Sequence, residues 1–153
     1  MSNEQNTYRM DVSEYYFRLT TECIRLHSNS SLKHSSFGDM INDRAKLANS
    51  VTARRKPQHI IKHLQMIPSK GEIPLEVEIL ESSSDKISTS SKAIEEAIGS
   101  SIEFADALSV IMFDFMVEAN RTEVLLKIGL TSDEAAEYRR LLKPGAPGVK
   151  SIN

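Results

Sequence analysis

RAKLANSVTARRKPQHIIKHLQMI, residues 44–67, concentrates positive charge on what its spacing predicts to be the end of one short helix and the whole of another. Phe37, Met40, Ile41, Leu47, Ala48 and Val51 recur at helical intervals, and Ser36 with Asp39 three residues on supplies the start signal. Residues 52–56 break that pattern. Pro57 suits the first turn of the next helix, whose Ile60, Ile61, Leu64 and Ile67 face inward until Pro68 and Gly71 end it. From Lys33 to Lys70 eight Lys/Arg stand against two acids, whereas Gly71 to Tyr138 holds fifteen acids and four bases. The formal net charge of −2 hides this division. Such asymmetry points to a polyanion partner for the basic half.

The 153 residues suffice for one domain with a real core, and 40% hydrophobic with 26% charged residues is an ordinary globular composition. A single cysteine, Cys23, excludes an intramolecular disulfide framework and, lying on an apolar helical stripe, reads as a buried inert thiol. The opening MSNEQNTYRMD lacks the apolar run of a signal peptide, so a cytoplasmic location is expected. The most apolar window, Ala107 to Val117, contains Asp114 and falls short of the roughly 20 residues a membrane span requires.

Outward from the basic stretch, residues 1–10 read as a flexible arm, and Val12, Tyr15, Tyr16, Leu19, Cys23 and Leu26 predict a helix over about 11–27. On the other side, Ile73, Leu75, Val77 and Ile79 alternate with Pro74, Glu76 and Glu78, the pattern of a strand with one apolar and one acidic face. Such a strand needs a partner from elsewhere in the chain or from a second copy. Residues 82–91, rich in serine, read as a linker. A long helix is expected over about 91–119 with an interruption at Gly99, apolar almost all round from Leu108 to Val117. A short helix over Thr122–Ile128 and a last one opened by Thr131 and Glu134 follow, then a disordered tail from 144. The expected architecture is mainly α, with one or two short strands and a long buried C-terminal helix. It divides into a basic region (11–81), the linker (82–91) and an acidic region (92–143) for oligomerisation or partner binding. The unpaired strand and the all-round apolar helix both ask for a covering surface, which makes a homo-oligomer, most simply a dimer, the expectation.

Residues 32–67 resemble the ribbon-helix-helix DNA-binding family, particularly its antitoxin-like members. Leu32–Ser36 stands in the place of the strand, Phe37–Val51 of the first helix and Pro57–Ile67 of the second, with Arg54, Gln58 and Ile60 at the matching turn and helix positions. The resemblance implies an intertwined dimer whose paired strands read the major groove. It would turn Lys33 and Ser35 toward the bases and set Arg54, Arg55 and Lys56, together with the exposed amides that open the second helix, on phosphates.

Catalytic and cofactor signatures are missing. His59 and His63 are spaced like a two-histidine metal pair, with His34 and Cys23 as conceivable further ligands, yet no CxxC or HExxH accompanies them, and neither metal nor cofactor is expected. No Gly-rich phosphate loop and no serine–histidine–acid set stands out, so enzyme is the least favoured class. Asp114 interrupts an apolar run and must find a partner if buried, with Arg121 or Lys127, or equally a polar contact across an oligomer, as candidates. Two functions fit these readings: a small DNA-binding regulator contacting DNA through Lys33, Lys46, Arg54, Arg55, Lys56 and Lys62, or a non-catalytic protein-interaction module (adaptor, inhibitor or chaperone-like) working through its acidic strand and long helix.

Overall fold

A computed structural model describes residues 4–118 and 128–142. Two strands, β1 (Gln5–Val12) and β2 (Ile73–Leu80), pair antiparallel from Gln5 opposite Leu80 to Val12 opposite Ile73. The acidic strand thus finds its partner in the segment expected to be a flexible arm. Tyr8, Met10 and Val12 alternate with Thr7, Arg9 and Asp11, but the polar share of this alternation disguised its period. Tyr8 then ties the strand down by stacking on Phe104, ring centroids 3.9 Å apart, and donating its hydroxyl to Ser84 Oγ at 2.9 Å.

Helix α1 (Glu14–Ser31) starts later and ends later than its apolar stripe suggests. Asp11 and Val12 belong to the strand, so Ser13 becomes the cap, its Oγ accepting from Tyr16 N–H at 3.1 Å. At the far end Leu32 closes the helix in the left-handed conformation, φ 61°. Leu32–Ser36 is therefore not a strand. It lacks β-formers, and Ser35 N–H is taken by Ser28 Oγ at 2.9 Å instead of a sheet.

Helix α2 (Phe37–Ala45) opens with the expected Ser36–Asp39 capping box but stops six residues short of Val51, giving way to a 3₁₀ turn (Ala48–Ser50) and a single-turn helix α3 (Val51–Arg54). Helix α4 (Pro57–Met66) begins at Pro57 as read from the sequence. The serine-rich segment is no linker: it forms the first half of α5 (Glu81–Ile98). Ser83, Ser84 and Ser90 are buried beside Ile87 and Ile94, and Ser90 Oγ satisfies itself on the Ala48 carbonyl at 2.9 Å. Small hydroxyl side chains there let α5 lie close on the ribbon and on the 3₁₀ turn.

Gly99, φ 81°, caps α5 in the left-handed region, and the chain restarts as α6 (Phe104–Glu118). The expected long helix is two helices. In α6 every residue from Ala107 to Met116 is buried, so it forms the centre of the molecule. Helix α7 (Ser132–Leu142) is opened by the Thr131–Glu134 capping box, with donor–acceptor distances of 2.8 and 3.1 Å. The helix expected over Thr122–Ile128, and Arg121 and Lys127, lie outside the described residues except for Ile128 itself. The result is a mainly helical fold on a two-stranded ribbon. One apolar cluster runs through it from Val12 and Leu19 to Phe113 and Tyr138, so the basic and acidic regions share a single core. The two features that called for a second copy, the lone strand and the all-round apolar helix, are both covered within one chain. Among the described residues no helix is long and apolar enough to cross a membrane.

Candidate functional site

The basic stretch does not present one outward face. Arg54 and Arg55 turn inward to Asp114, which is 2% exposed on α6. Arg54 Nη2 donates to Oδ2 at 2.6 Å and Arg55 Nε to Oδ1 at 2.8 Å, while Arg44 Nη2 reaches Oδ2 at 3.2 Å and also Glu118 Oε1 at 3.2 Å. Arg54 donates further to Ser50 Oγ and to the Leu47 carbonyl at 3.2 Å. The Arg44 guanidinium also lies over the Phe115 ring, 4.9 Å from its centroid. Burial alone would raise the Asp114 pKa, but the hydrogen bonds and charges of Arg54 and Arg55 outweigh it and hold the carboxyl below its ordinary value. Reciprocally, Asp114 raises the pKa of Arg54. Asp114 did need a partner, and among the described residues its partners come from the basic stretch, while the candidates Arg121 and Lys127 lie outside the described residues.

The four lysines of the expected interface part company. Lys33 and Lys46 line one cleft, and Lys46 Nζ lies 3.8 Å from Asp43. Lys62 Nζ sits 3.5 Å from Glu137 of α7. Lys56 is exposed at the start of α4, where it and Arg55 add to burial in lowering the pKa of His59.

The histidine pair separates too. His63 is fully buried, stacked on Phe113 at 4.8 Å between centroids, its Nε2 paired with Ser109 Oγ at 2.8 Å and its Nδ1 with the Tyr138 hydroxyl. Burial drives its pKa down to about 3, which keeps the ring neutral. Among the described residues no three His, Cys, Asp or Glu side chains gather as a metal site. Cys23 is buried and burial pushes its thiol pKa up, which leaves it unreactive.

Two arrangements escaped sequence reasoning. The first is a row of three side chains in the cleft of Lys33 and Lys46, whose volume is 470 Å³. Ser35 Oγ lies 2.7 Å from His27 Nδ1, and His27 Nε2 lies 3.0 Å from Asp43 Oδ2. Helix α1 brings His27, its C-terminal loop Ser35, and α2 Asp43. Only the fold joins them, since no spacing motif links the three.

The second is the asymmetry of the ribbon. Glu81 N–H donates to the Glu4 carbonyl at 2.9 Å, continuing the β1–β2 register. The even-numbered residues of β1 therefore face β2 with their backbone groups, and the odd-numbered ones face away. On β2 the outward residues are Pro74, Glu76, Glu78 and Leu80. Helix α2 covers that edge: Asn42 Oδ1 accepts from Leu80 N–H at 2.9 Å, and Gly38 packs so close that a Cβ there would stand 2.2 Å from the Glu78 carbonyl oxygen. Pro74 has no N–H to leave unpaired. On β1 the Asp11 carbonyl accepts from Gly71 N–H at 3.1 Å, but the outward amides and carbonyls of Gln5, Thr7 and Arg9 have no hydrogen-bond partner among the described residues. The exposed face beside this edge carries Asp11, Glu76 and Glu78 against Arg9, which is 3.6 Å from Glu76.

No protein family, curated protein or solved structure matches the chain.

Proposed function

We propose that the chain is a protein-interaction module that takes up an extended segment of a partner protein along the outer edge of β1, adding a third strand to the ribbon. The observation that carries this reading is the run of backbone groups at Gln5, Thr7 and Arg9 that have no partner among the described residues, beside a β2 edge that is covered by α2. An open strand edge supplies main-chain affinity to any extended chain, and flanking side chains choose among them. Asp11, Glu76 and Glu78 select a segment with Lys or Arg at alternate positions on its outer side. Glu76 and Glu78 of the acidic strand thus keep a part in the working surface, while α6, buried from Ala107 to Met116, leaves that role. A DNA-binding role would rest on Lys33, Lys46, Lys56 and Lys62, because Arg54 and Arg55 are occupied by Asp114.

The parity of the ribbon makes a clean test. A proline at position 7 removes only an outward N–H, so Thr7→Pro spares the β1–β2 ladder and blocks the edge. Selection from a displayed library of ten-residue peptides is expected to enrich alternating Lys/Arg sequences, whose binding protects the amides of Thr7 and Arg9 from hydrogen exchange and is lost in Thr7→Pro. Enriched peptides that protect other amides, or that bind Thr7→Pro unchanged, would defeat the proposal.

A further inference from the structure

The row Ser35–His27–Asp43 has the hydrogen-bond order of a nucleophile, a base and a carboxylate that orients the base. Asp43 can only accept, so it fixes the proton of a neutral His27 on Nε2 and leaves the Nδ1 lone pair facing the Ser35 hydroxyl. The imidazole side chain is 13% exposed, held near Phe115 (centroids 6.3 Å apart, edge to face), whereas Ser35 opens to the cleft. Lys33, Lys46 and Lys86 line that cleft and outnumber its two carboxylates, Asp39 and Asp43.

We propose that Ser35 is an acylatable nucleophile and that this cleft hydrolyses small esters bearing an anionic group. Ser35 Oγ attacks the ester carbonyl carbon while its proton passes to His27 Nδ1, and the imidazolium so formed is stabilised by Asp43 through Nε2–H. Collapse of the tetrahedral adduct breaks the bond to the alkoxy oxygen, which leaves as the alcohol with the proton from Nδ1. Water then attacks the acyl-serine by the same route, yielding the acid and regenerating Ser35. Ser35 and His27 are the catalytic residues, and Asp43 is a positioning residue.

The backbone amides nearest the nucleophile are committed, that of Ser35 to Ser28 Oγ (2.9 Å) and that of Ser36 to Asp39 Oδ2 (3.0 Å). Stabilisation of the oxyanion falls to the lysine ammonium groups. These are mobile point charges and poorer donors than a fixed pair of amides, so turnover is slow and the covalent adduct is the sensitive readout. The same lysines draw in substrates that carry a carboxylate or phosphate.

The same three side chains also tie the end of α1 to α2, so the experiment must separate chemistry from architecture. The full chain is treated with a fluorophosphonate and, separately, with the p-nitrophenyl monoester of succinic acid and p-nitrophenyl acetate, and adducts are mapped by mass spectrometry. The expected adduct is on Ser35, absent in Ser35→Ala and slowed about 100-fold in His27→Gln. Asp43→Asn lowers the acylation rate and alters its pH profile with KM for the ester unchanged. The succinyl ester acylates faster than the acetyl ester at low salt, and Lys33→Ala with Lys86→Ala removes that preference. Should His27→Gln fail to fold, the wild-type pH profile still decides, since acylation must rise with deprotonation of a single imidazole. No adduct on Ser35, a rate equal to that of the exposed Ser88, or a flat pH profile overturns the proposal.

Discussion

Helix α6 buries two polar side chains, Ser109 and Asp114, five positions apart, and the surrounding protein treats them in opposite ways. Asp114 is kept charged, with guanidinium groups from Arg44, Arg54 and Arg55 gathered round its carboxylate. Ser109 is kept in a neutral set, in which His63 has been driven out of its charged form by burial and links two hydroxyls. A fully desolvated charge is tolerable only with several close counter-charges, whereas a neutral hydrogen-bonded chain needs no charge compensation. The difference gives the two clusters different weaknesses. One fails when a charge is removed, and the other fails when a proton is added.

The sharpest break in this contrast is Asp114→Ala. It leaves three guanidinium groups facing an apolar helix and is expected to cost about 3–5 kcal/mol in urea unfolding, with Asp114→Asn recovering little, because a neutral amide cannot balance the charges. A loss under 1 kcal/mol would mean that the arginines swing out to water and that the cluster is peripheral to stability.

Acid titration separates the two clusters by pH window. The folded pKa of His63, about 3, lies below its ordinary value of 6.5, so as pH falls below 6.5 the unfolded chain binds a proton that the folded one refuses. Stability present above that pH then declines by up to about 1.4 kcal/mol per pH unit from this group. The Asp114 carboxyl is also held below its ordinary 3.8, so its contribution is intact until the pH drops beneath that value and is lost on further acidification. His63→Phe should flatten the stability curve between pH 6 and 4 and leave the lower limb in place. An unaltered curve in that variant would show that another group controls the range.

The smallest effects compare cations that were neighbours in the basic stretch. Arg55→Ala should cost about 1–3 kcal/mol, since it strips a charged hydrogen bond from a buried carboxylate. Lys46→Ala, with its side chain 74% exposed and 3.8 Å from Asp43, should stay within about 0.5 kcal/mol. Equal losses in thermal unfolding would erase the distinction between inward and outward cations.

That distinction is what the sequence alone could not convey. Formal charge counts Arg54 and Lys56 alike, yet Arg54 is spent on a carboxylate sixty positions away and Lys56 faces solvent. The trace of the pairing was there in Asp114, conspicuous within an apolar run, but nothing local says which cation will reach it. Elements with a strong period or cap were legible: the Ser36 and Thr131 capping boxes, Pro57 opening α4, and the alternation of β2. Elements were misread where side chains suited to two environments decided the reading. Asn6 and Tyr8 look like a polar arm until Ser84 receives both their hydrogen bonds, and the serines of α5 look like a linker until they are packed. Of the candidate sites, the edge of β1 depends on backbone parity and the His27 row on three separate segments, and neither leaves a spacing for the eye to find.

Tyr8 and Ser84, joined by a hydrogen bond, are 76 positions apart, and the whole ribbon closes over a comparable separation. Loop-closure entropy must be overcome before that contact yields any return, which places ribbon formation late in folding. During synthesis β1 is therefore exposed on the ribosome while its partner strand is still untranslated. A nascent strand in that position is available to chaperones, and the polar residues that made Gln5–Asp11 resemble an arm double as protection against premature aggregation.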